Sequence, residues 1–229
     1  MTRGLFVTGT DTGVGKTLAA CALIHALAAR GLKVAAMKPV AAGTSGAQAT
    51  NEDTRLLIEA CGRGTSGEVT PIVMREAIAP HIAARHEGRT IDLERIKQAH
   101  ARIAASADWV IVEGVGGFKV PLAAGLDTVD LARALALPVA MVVGMRLGCL
   151  NHALLTADAI EAAGLRFAGW IANTIDPAMA AADENLAALS ERLRAPLLGR
   201  LPHDERRDAR RLAGTLDLSP LLVAEGRAQ

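Results

Sequence analysis

The segment Gly9-Thr10-Asp11-Thr12-Gly13-Val14-Gly15-Lys16-Thr17 constrains this chain more than any other. It follows a short apolar run, Leu5-Phe6-Val7-Thr8, and leads into a helical pattern from Thr17 to Arg30 that ends at Gly31, a natural helix stop. Glycines let consecutive backbone N–H groups turn inward and form a nest for an anion. The helix that follows adds the positive end of its dipole. In such a turn Lys16 can reach the β- and γ-phosphates of a nucleotide and the Thr17 hydroxyl can hold Mg²⁺. The usual spacing puts the first glycine where Thr10 stands, and here Gly9 lies one residue earlier. The alternative is a glycine-rich turn with a solvated lysine. The strand before and the helix after favour a site for a purine nucleoside triphosphate with Mg²⁺.

The rest of the chain repeats the strand-then-helix order. Strands are expected at Lys33–Pro39, Asp108–Glu113, Leu137–Val143, Leu165–Asn173 and Pro196–Leu201. Helices are expected at Asn51–Cys61, Asp92–Ser106, Asp127–Leu135, Leu150–Ala163 and Ala178–Leu193. Residues 41–50 read as a loop and 62–80 as irregular. The apolar run Ala134–Met145 reads as a buried strand, interrupted by Pro138 and too short to span a bilayer. No repeat or low-complexity linker divides the 229 residues. The expectation is therefore an α/β single-domain P-loop NTPase fold, with a mostly parallel sheet covered by helices on both faces. Ligands of such a sheet gather at the carboxyl ends of its strands.

Charge and composition exclude other classes. With 25 basic and 24 acidic residues the net charge is +1, so no basic field is available for nucleic acid. Aromatic residues make up only 2%, so the core must be aliphatic and stacking platforms for bases are absent. The N-terminus carries no signal-peptide pattern, and Cys21, Cys61 and Cys149 are odd in number and far apart. Both observations suggest a reduced, cytoplasmic protein without a membrane anchor.

Several strand ends carry chemistry-bearing residues. Lys38 would face the same crevice as the phosphate loop, or be an ordinary strand-end lysine. Asp53, in the first turn of a helix, could hold a metal or merely offset the helix dipole. Glu113 ends an apolar strand before Gly114-Val115-Gly116-Gly117, the position of a Mg²⁺-linked carboxylate. Thr17, Asp53 and Glu113 together offer hard oxygen ligands. Gly148-Cys149-Leu150-Asn151 opens a helix, and its free N–H groups could bind a carboxylate; a plain helix start capped near Asn151 reads equally well. Asn173 could read an adenine edge or cap a turn. The run from His203 to Arg211 has mixed charge and reads as a solvated helix face.

Six segments in order resemble the dethiobiotin synthetase family. They are Phe6–Thr17, Lys38-Pro39-Val40, Ala79-Pro80-His81, Val112–Gly117, Val142–His152 and Gly169–Asn173. The shifted phosphate loop is the form that family uses, and Val142–His152 is the most specific match. The resemblance implies an ATP-dependent ligase of biotin synthesis that closes a cyclic urea from 7,8-diaminononanoate and CO₂. It implies that Thr12, Gly13, Val14, Gly15, Lys16 and Thr17 wrap the phosphates, with Gly114, Val115 and Gly116 alongside. Thr17, Asp53 and Glu113 would carry Mg²⁺, and Lys16 and Lys38 would stabilise the charged intermediates. Asn173, Thr174, Leu201, Pro202 and His203 would line the adenine site. Thr12, Lys38 and Ala42 would meet the diamine. Its carboxylate would meet Gly148, Cys149, Leu150 and Asn151 of a neighbouring subunit in a homodimer. The chain departs from the family in two places: Ala42 stands where a Ser or Thr is common, and Gly13 where some members are acidic. A partition-type ATPase is a second reading, but such relatives carry an extra lysine early in the loop, where this chain has Thr10-Asp11-Thr12. The tail from Leu212 also lacks the basic and aromatic residues of a membrane-binding helix. An amidoligase with a glutamine-hydrolysing domain would need a longer chain.

Overall fold

The computed structural model describes residues 3–44, 51–62 and 68–223. Parts of the sequence-predicted loop (45–50), of the irregular stretch (63–67) and of the tail (224–229) lie outside the described residues. Ten strands and nine α-helices are described: β1 (Arg3–Gly9), α1 (Lys16–Ala28), β2 (Val34–Met37), β3 (Val40–Ala42), α2 (Glu52–Cys61), β4 (Ile72–Met74), α3 (Pro80–His86), α4 (Leu93–Ala104), β5 (Trp109–Glu113), β6 (Pro121–Ala123), β7 (Leu126–Asp127), α5 (Thr128–Leu135), β8 (Val139–Met145), α6 (Cys149–Ala162), β9 (Phe167–Thr174), α7 (Ala182–Arg192), β10 (Leu197–Leu201), α8 (Ala209–Leu212) and α9 (Ser219–Val223).

Six strands form one sheet in the order β10-β9-β8-β1-β5-β2, and every pairing in it is parallel. Strand residues alternate between two faces. Phe6, Val110, Val112, Met141, Val143 and Trp170 enter one core with α4, α5 and α6. Leu5, Val7, Trp109, Ile111, Val142 and Ile171 enter a second core with α1 and α2. Both faces are covered, which is why the strands are continuously apolar. α1 is apolar on all sides because it lies between the sheet and the outer elements α2 and α8. α4 instead buries one stripe, Ile96, Ala99 and Ile103, and leaves its charged face in water. Asn51 caps α2 and Asp92 caps α4, while Asp127 and Asp130 form a reciprocal cap on α5.

The register aligns the carboxyl ends of the strands. Val7 pairs with Glu113, Met37 with Val112, Gly9 with Val142, Met145 with Thr174, and Leu201 with Asn173. The turn after each strand therefore opens on one edge of the sheet.

Several local expectations are corrected. Residues 41–42 and 72–74, read as loop and irregular chain, belong to the parallel pair β3–β4, too short to show any periodicity. Pro80 starts α3, a helix the sequence reading did not include. The apolar run 134–145 is two elements: α5 ends at Ala136 in a left-handed conformation (φ 52°), and β8 begins after Pro138. α7 starts at Ala182, not Ala178, because the Asp176 carboxylate takes the Ala178 N–H and Ala181 is left-handed (φ 52°). In the run 203–211 only Ala209 onward is helical. Asp204 there accepts the N–H groups of Arg206 and Asp208 and pairs with Arg211, which organises a turn. No helix among the described residues is long and apolar enough to cross a membrane.

Candidate active site

Three strand ends and one helix start converge beside the phosphate loop. β1 delivers the loop itself, β2 delivers Lys38, β5 delivers Glu113, and the first turn of α2 delivers Asp53. Asn51 places that turn: its Oδ1 accepts the Thr54 N–H, and its Nδ2 donates to Gly43 O at 2.8 Å, tying α2 to the end of β3. Glu113 is fully buried, and Lys38 and Lys16 are buried.

Lys38 Nζ lies 2.5 Å from Glu113 Oε1 and 2.9 Å from Asp53 Oδ2, and it donates to Gly114 O at 3.2 Å. Burial pulls the Lys38 pKa down, but the two carboxylates outweigh it and hold the ammonium above its ordinary value. Asp53 shows the complement: burial pushes it up, and Lys38, with a hydrogen bond from Thr17, holds it below the usual carboxylate range. Lys16 is placed differently. Its Nζ donates to the backbone carbonyl of Asp11 at 2.9 Å. Burial, and then repulsion from Lys38, lower its pKa from 10.5 to about 8.

Thr17 Oγ1 lies 2.9 Å from Asp53 Oδ1 and 2.9 Å from Glu113 Oε1. One hydroxyl has one proton, so it can donate to only one of these oxygens. The other contact brings two oxygen acceptors together, an arrangement that a cation relieves. Glu113 Oε2 is buried without a hydrogen-bond partner. Two carboxylates and a hydroxyl, all hard oxygens, suit Mg²⁺.

The loop is braced from two sides. Asn173 Nδ2, buried at the end of β9, donates to Val14 O at 2.8 Å. A Cβ on Gly15 (φ 87°) would sit 2.1 Å from that nitrogen, so both the conformation and the brace require glycine there. On the other side Arg146 Nη2 meets Asp11 Oδ2 at 2.7 Å. The Gly114–Gly117 turn lies against the loop: a Cβ on Gly117 would be 3.6 Å from Gly9 O, and one on Gly116 3.7 Å from Thr12 Oγ1. Val14 is buried, whereas Thr12 and Gly13 are exposed on the open side.

The remaining predicted residues lie on other elements. Ala42 is half-buried at the end of β3, beside Gly43. Gly148 is the N-cap of α6, in a left-handed conformation (φ 93°) and without a side-chain cap, so Asn151, already within the first turn and exposed, does not cap the helix. Asn173 does more than either sequence alternative required, because it holds the phosphate loop. Thr174 Oγ1 is buried and unpartnered. Leu201 is packed in the core, while Pro202 and His203 are exposed. Sequence reasoning passed over Asp11 and Arg146. A charged pair separated by 135 residues leaves no local pattern, although both lie within segments that carry the family resemblance.

Known proteins place the chain in a family. A family model described as an AAA domain matches residues 3–211. The chain is 54% identical over 220 residues to the ATP-dependent dethiobiotin synthetase BioD of Nitrosospira multiformis, covering 96% of each chain. It is 52% identical to the BioD of Janthinobacterium sp., covering 88% of each. Among solved structures, a ParA family ATPase from Chlorobium tepidum superposes with a TM-score of 0.55 at 18% identity, covering 98% of this chain and 93% of that one. The MinC:MinD complex from Aquifex aeolicus gives 0.54 at 20% identity, covering 98% and 89%. These distant likenesses establish the P-loop fold, and the sequence relatives establish the enzyme: the chain belongs to the dethiobiotin synthetase family of ligases in biotin biosynthesis.

Proposed function

We propose that this chain, with ATP and Mg²⁺, converts 7,8-diaminononanoate and CO₂ into dethiobiotin, ADP and phosphate. The observation that carries this reading is the cluster of Lys38, Asp53, Glu113 and Thr17 beside the Lys16 loop. It joins a phosphate cradle to a second buried cation facing the same crevice.

The chemistry begins when one amine of the diamine adds to CO₂ and loses a proton, giving a carbamate. A carbamate oxygen attacks the γ-phosphorus of ATP, the bond to the β-phosphate oxygen breaks, and ADP leaves. The second amine then attacks the carbonyl carbon of the carbamic–phosphoric anhydride. Phosphate departs with the bonding pair, the amine loses its proton, and the five-membered urea is closed. Negative charge gathers first on the carbamate and then on the transferring phosphoryl group. Lys38, kept charged by Glu113 and Asp53, is placed to stabilise both. Lys16 and the loop N–H groups hold the triphosphate. Thr17, Asp53 and Glu113 would hold Mg²⁺, which supplies charge neutralisation on the phosphates when bound.

Adenine belongs at the ends of β9 and β10, near Asn173, Thr174, Leu201, Pro202 and His203. The diamine lies between Thr12, Lys38 and Ala42, with its carboxylate against the Gly148–Asn151 start of α6 from a second copy. Leu147, 94% exposed, and Leu155, 61% exposed, support a homodimer surface at that helix.

The test is a product assay with the diamine, bicarbonate and MgATP. We expect dethiobiotin by mass spectrometry, with ADP formed in equal amount and little ATP hydrolysis when the diamine is omitted. Absence of product, or full ATPase activity without the diamine, overturns the reading and favours a nucleotide switch of the ParA kind.

A further inference from the structure

Asp11 makes three contacts through three different oxygens. Its carboxylate Oδ1 accepts the Thr12 N–H at 2.7 Å, its Oδ2 accepts from Arg146 Nη2 at 2.7 Å, and its backbone carbonyl accepts from Lys16 Nζ at 2.9 Å. Any rotation of the Asp11 peptide therefore moves the anchor of the phosphate-gripping lysine. Only the Arg146 contact comes from outside the loop. Arg146 is the first residue after β8, and its carbonyl accepts the Cys149 N–H at 3.0 Å in the turn that opens α6. The guanidinium thus spans from the start of α6 to the first half of the phosphate loop. The second half has its own brace, the buried Asn173 to Val14 contact.

The two braces differ in setting. Asn173 is 4% exposed, whereas the Arg146 and Asp11 side chains are 43% and 46% exposed. An ion pair so open to water contributes little to folding. Stability therefore does not account for it, and its position on the loop does.

We propose that Arg146 is a positioning residue: through Asp11 it sets the pose of the first half of the phosphate loop and of Lys16, and it links that loop to the start of α6. The link to α6 rests on the reading of that helix start as the carboxylate site. The effect on the loop does not, because it concerns nucleotide binding alone.

The experiment measures MgATP affinity by calorimetry, without the diamine, in the full-length wild type, Arg146→Ala, Arg146→Lys, Asp11→Asn and the double variant Arg146→Ala/Asp11→Asn. Loss of this exposed ion pair should weaken nucleotide binding about three- to fivefold in Arg146→Ala. Arg146→Lys should recover most of it. Asp11→Asn keeps an acceptor for the Thr12 N–H but loses the ion pair, and should match Arg146→Ala. The double variant should be no worse than either single one, since both remove the same contact. Melting temperatures should stay within about 2 °C of wild type. Unchanged nucleotide affinity in Arg146→Ala overturns the proposal, as does a loss that the lysine variant leaves unrepaired while the melting temperature drops. A rise in the KM for the diamine alone, with MgATP affinity intact, also overturns it and makes Arg146 a substrate contact. If the wild type binds MgATP but makes no dethiobiotin, the functional reading fails while the affinity series still decides the role of Arg146.

Discussion

Lys16 and Lys38 are both buried lysines in one crevice, yet their surroundings are opposite. Lys38 rests on two carboxylates, and its ammonium is held above the ordinary lysine value. Lys16 rests on a backbone carbonyl, and burial with Lys38 nearby brings it down to about 8. The difference teaches what each is built to meet. The charge of Lys38 is already compensated by protein, so it stays in place before any anion arrives. The charge of Lys16 lacks a bonded carboxylate, so the phosphates of the proposed nucleotide would complete it.

The largest expected effect separates the two lysines in function. Lys38→Ala should lower dethiobiotin turnover by about a hundred- to a thousand-fold, the loss typical of removing one group aimed at developing charge. Its MgATP affinity should change far less. Lys16→Ala should lose nucleotide binding as well as turnover. Equal losses of binding in both variants, measured by calorimetry beside the product assay, would break the contrast.

A second test removes the compensation. Lys38 and Glu113 have side chains 3% and 1% exposed, so Glu113→Gln leaves a buried ammonium with one counter-charge fewer. Breaking such a pair costs about 3 kcal/mol, visible as a shift in the denaturant midpoint. An unshifted midpoint would mean that Asp53 alone suffices. A smaller effect is expected at the brace that serves Lys16. Asn173→Ala removes the hydrogen bond to Val14 O and leaves that carbonyl without its partner, a cost of about 1–2 kcal/mol. Nucleotide affinity should fall with it, whereas the Lys38 cluster should keep its stability.

The smallest effect is in pH. A lysine with a folded-state pKa below its unfolded value disfavours folding while it is charged. That cost is fully present below about 8 and is relieved as pH rises toward 10.5, because the unfolded chain then binds more protons. Replacing Lys16 by Met should remove this rise in stability between pH 8 and 10.5. Phosphates favour the charged form, so MgATP binding near pH 8 should take up a fraction of a proton. Calorimetry in buffers of different ionisation enthalpy reads that fraction, and a value of zero would erase the distinction between the lysines.

Much of the site is legible along the chain because its pieces are local. A glycine-rich turn ending in Lys16-Thr17, a lysine at the end of β2 and a glutamate at the end of β5 each follow an apolar run that can be recognised by itself. Asp53 is different: beside Asn51 it reads equally well as a helix-dipole residue, and only its contacts with Thr17 and Lys38 decide its place. Asn173 is visible as a strand-end amide, but its work on Val14 is not. The short pair β3–β4 has three residues in each strand, too few for a period to emerge.

The sequence by itself therefore determined the alternating architecture, the phosphate loop and the set of residues delivered to the strand ends, since these depend on apolar period, glycine freedom and helix starts within a few residues. The tertiary structure alone decided the pairings: Lys38 with both carboxylates, Thr17 between two acceptors, and Arg146 with Asp11 across 135 residues. Charge attraction acts through space and burial, and neither is written in the spacing of residues along a chain.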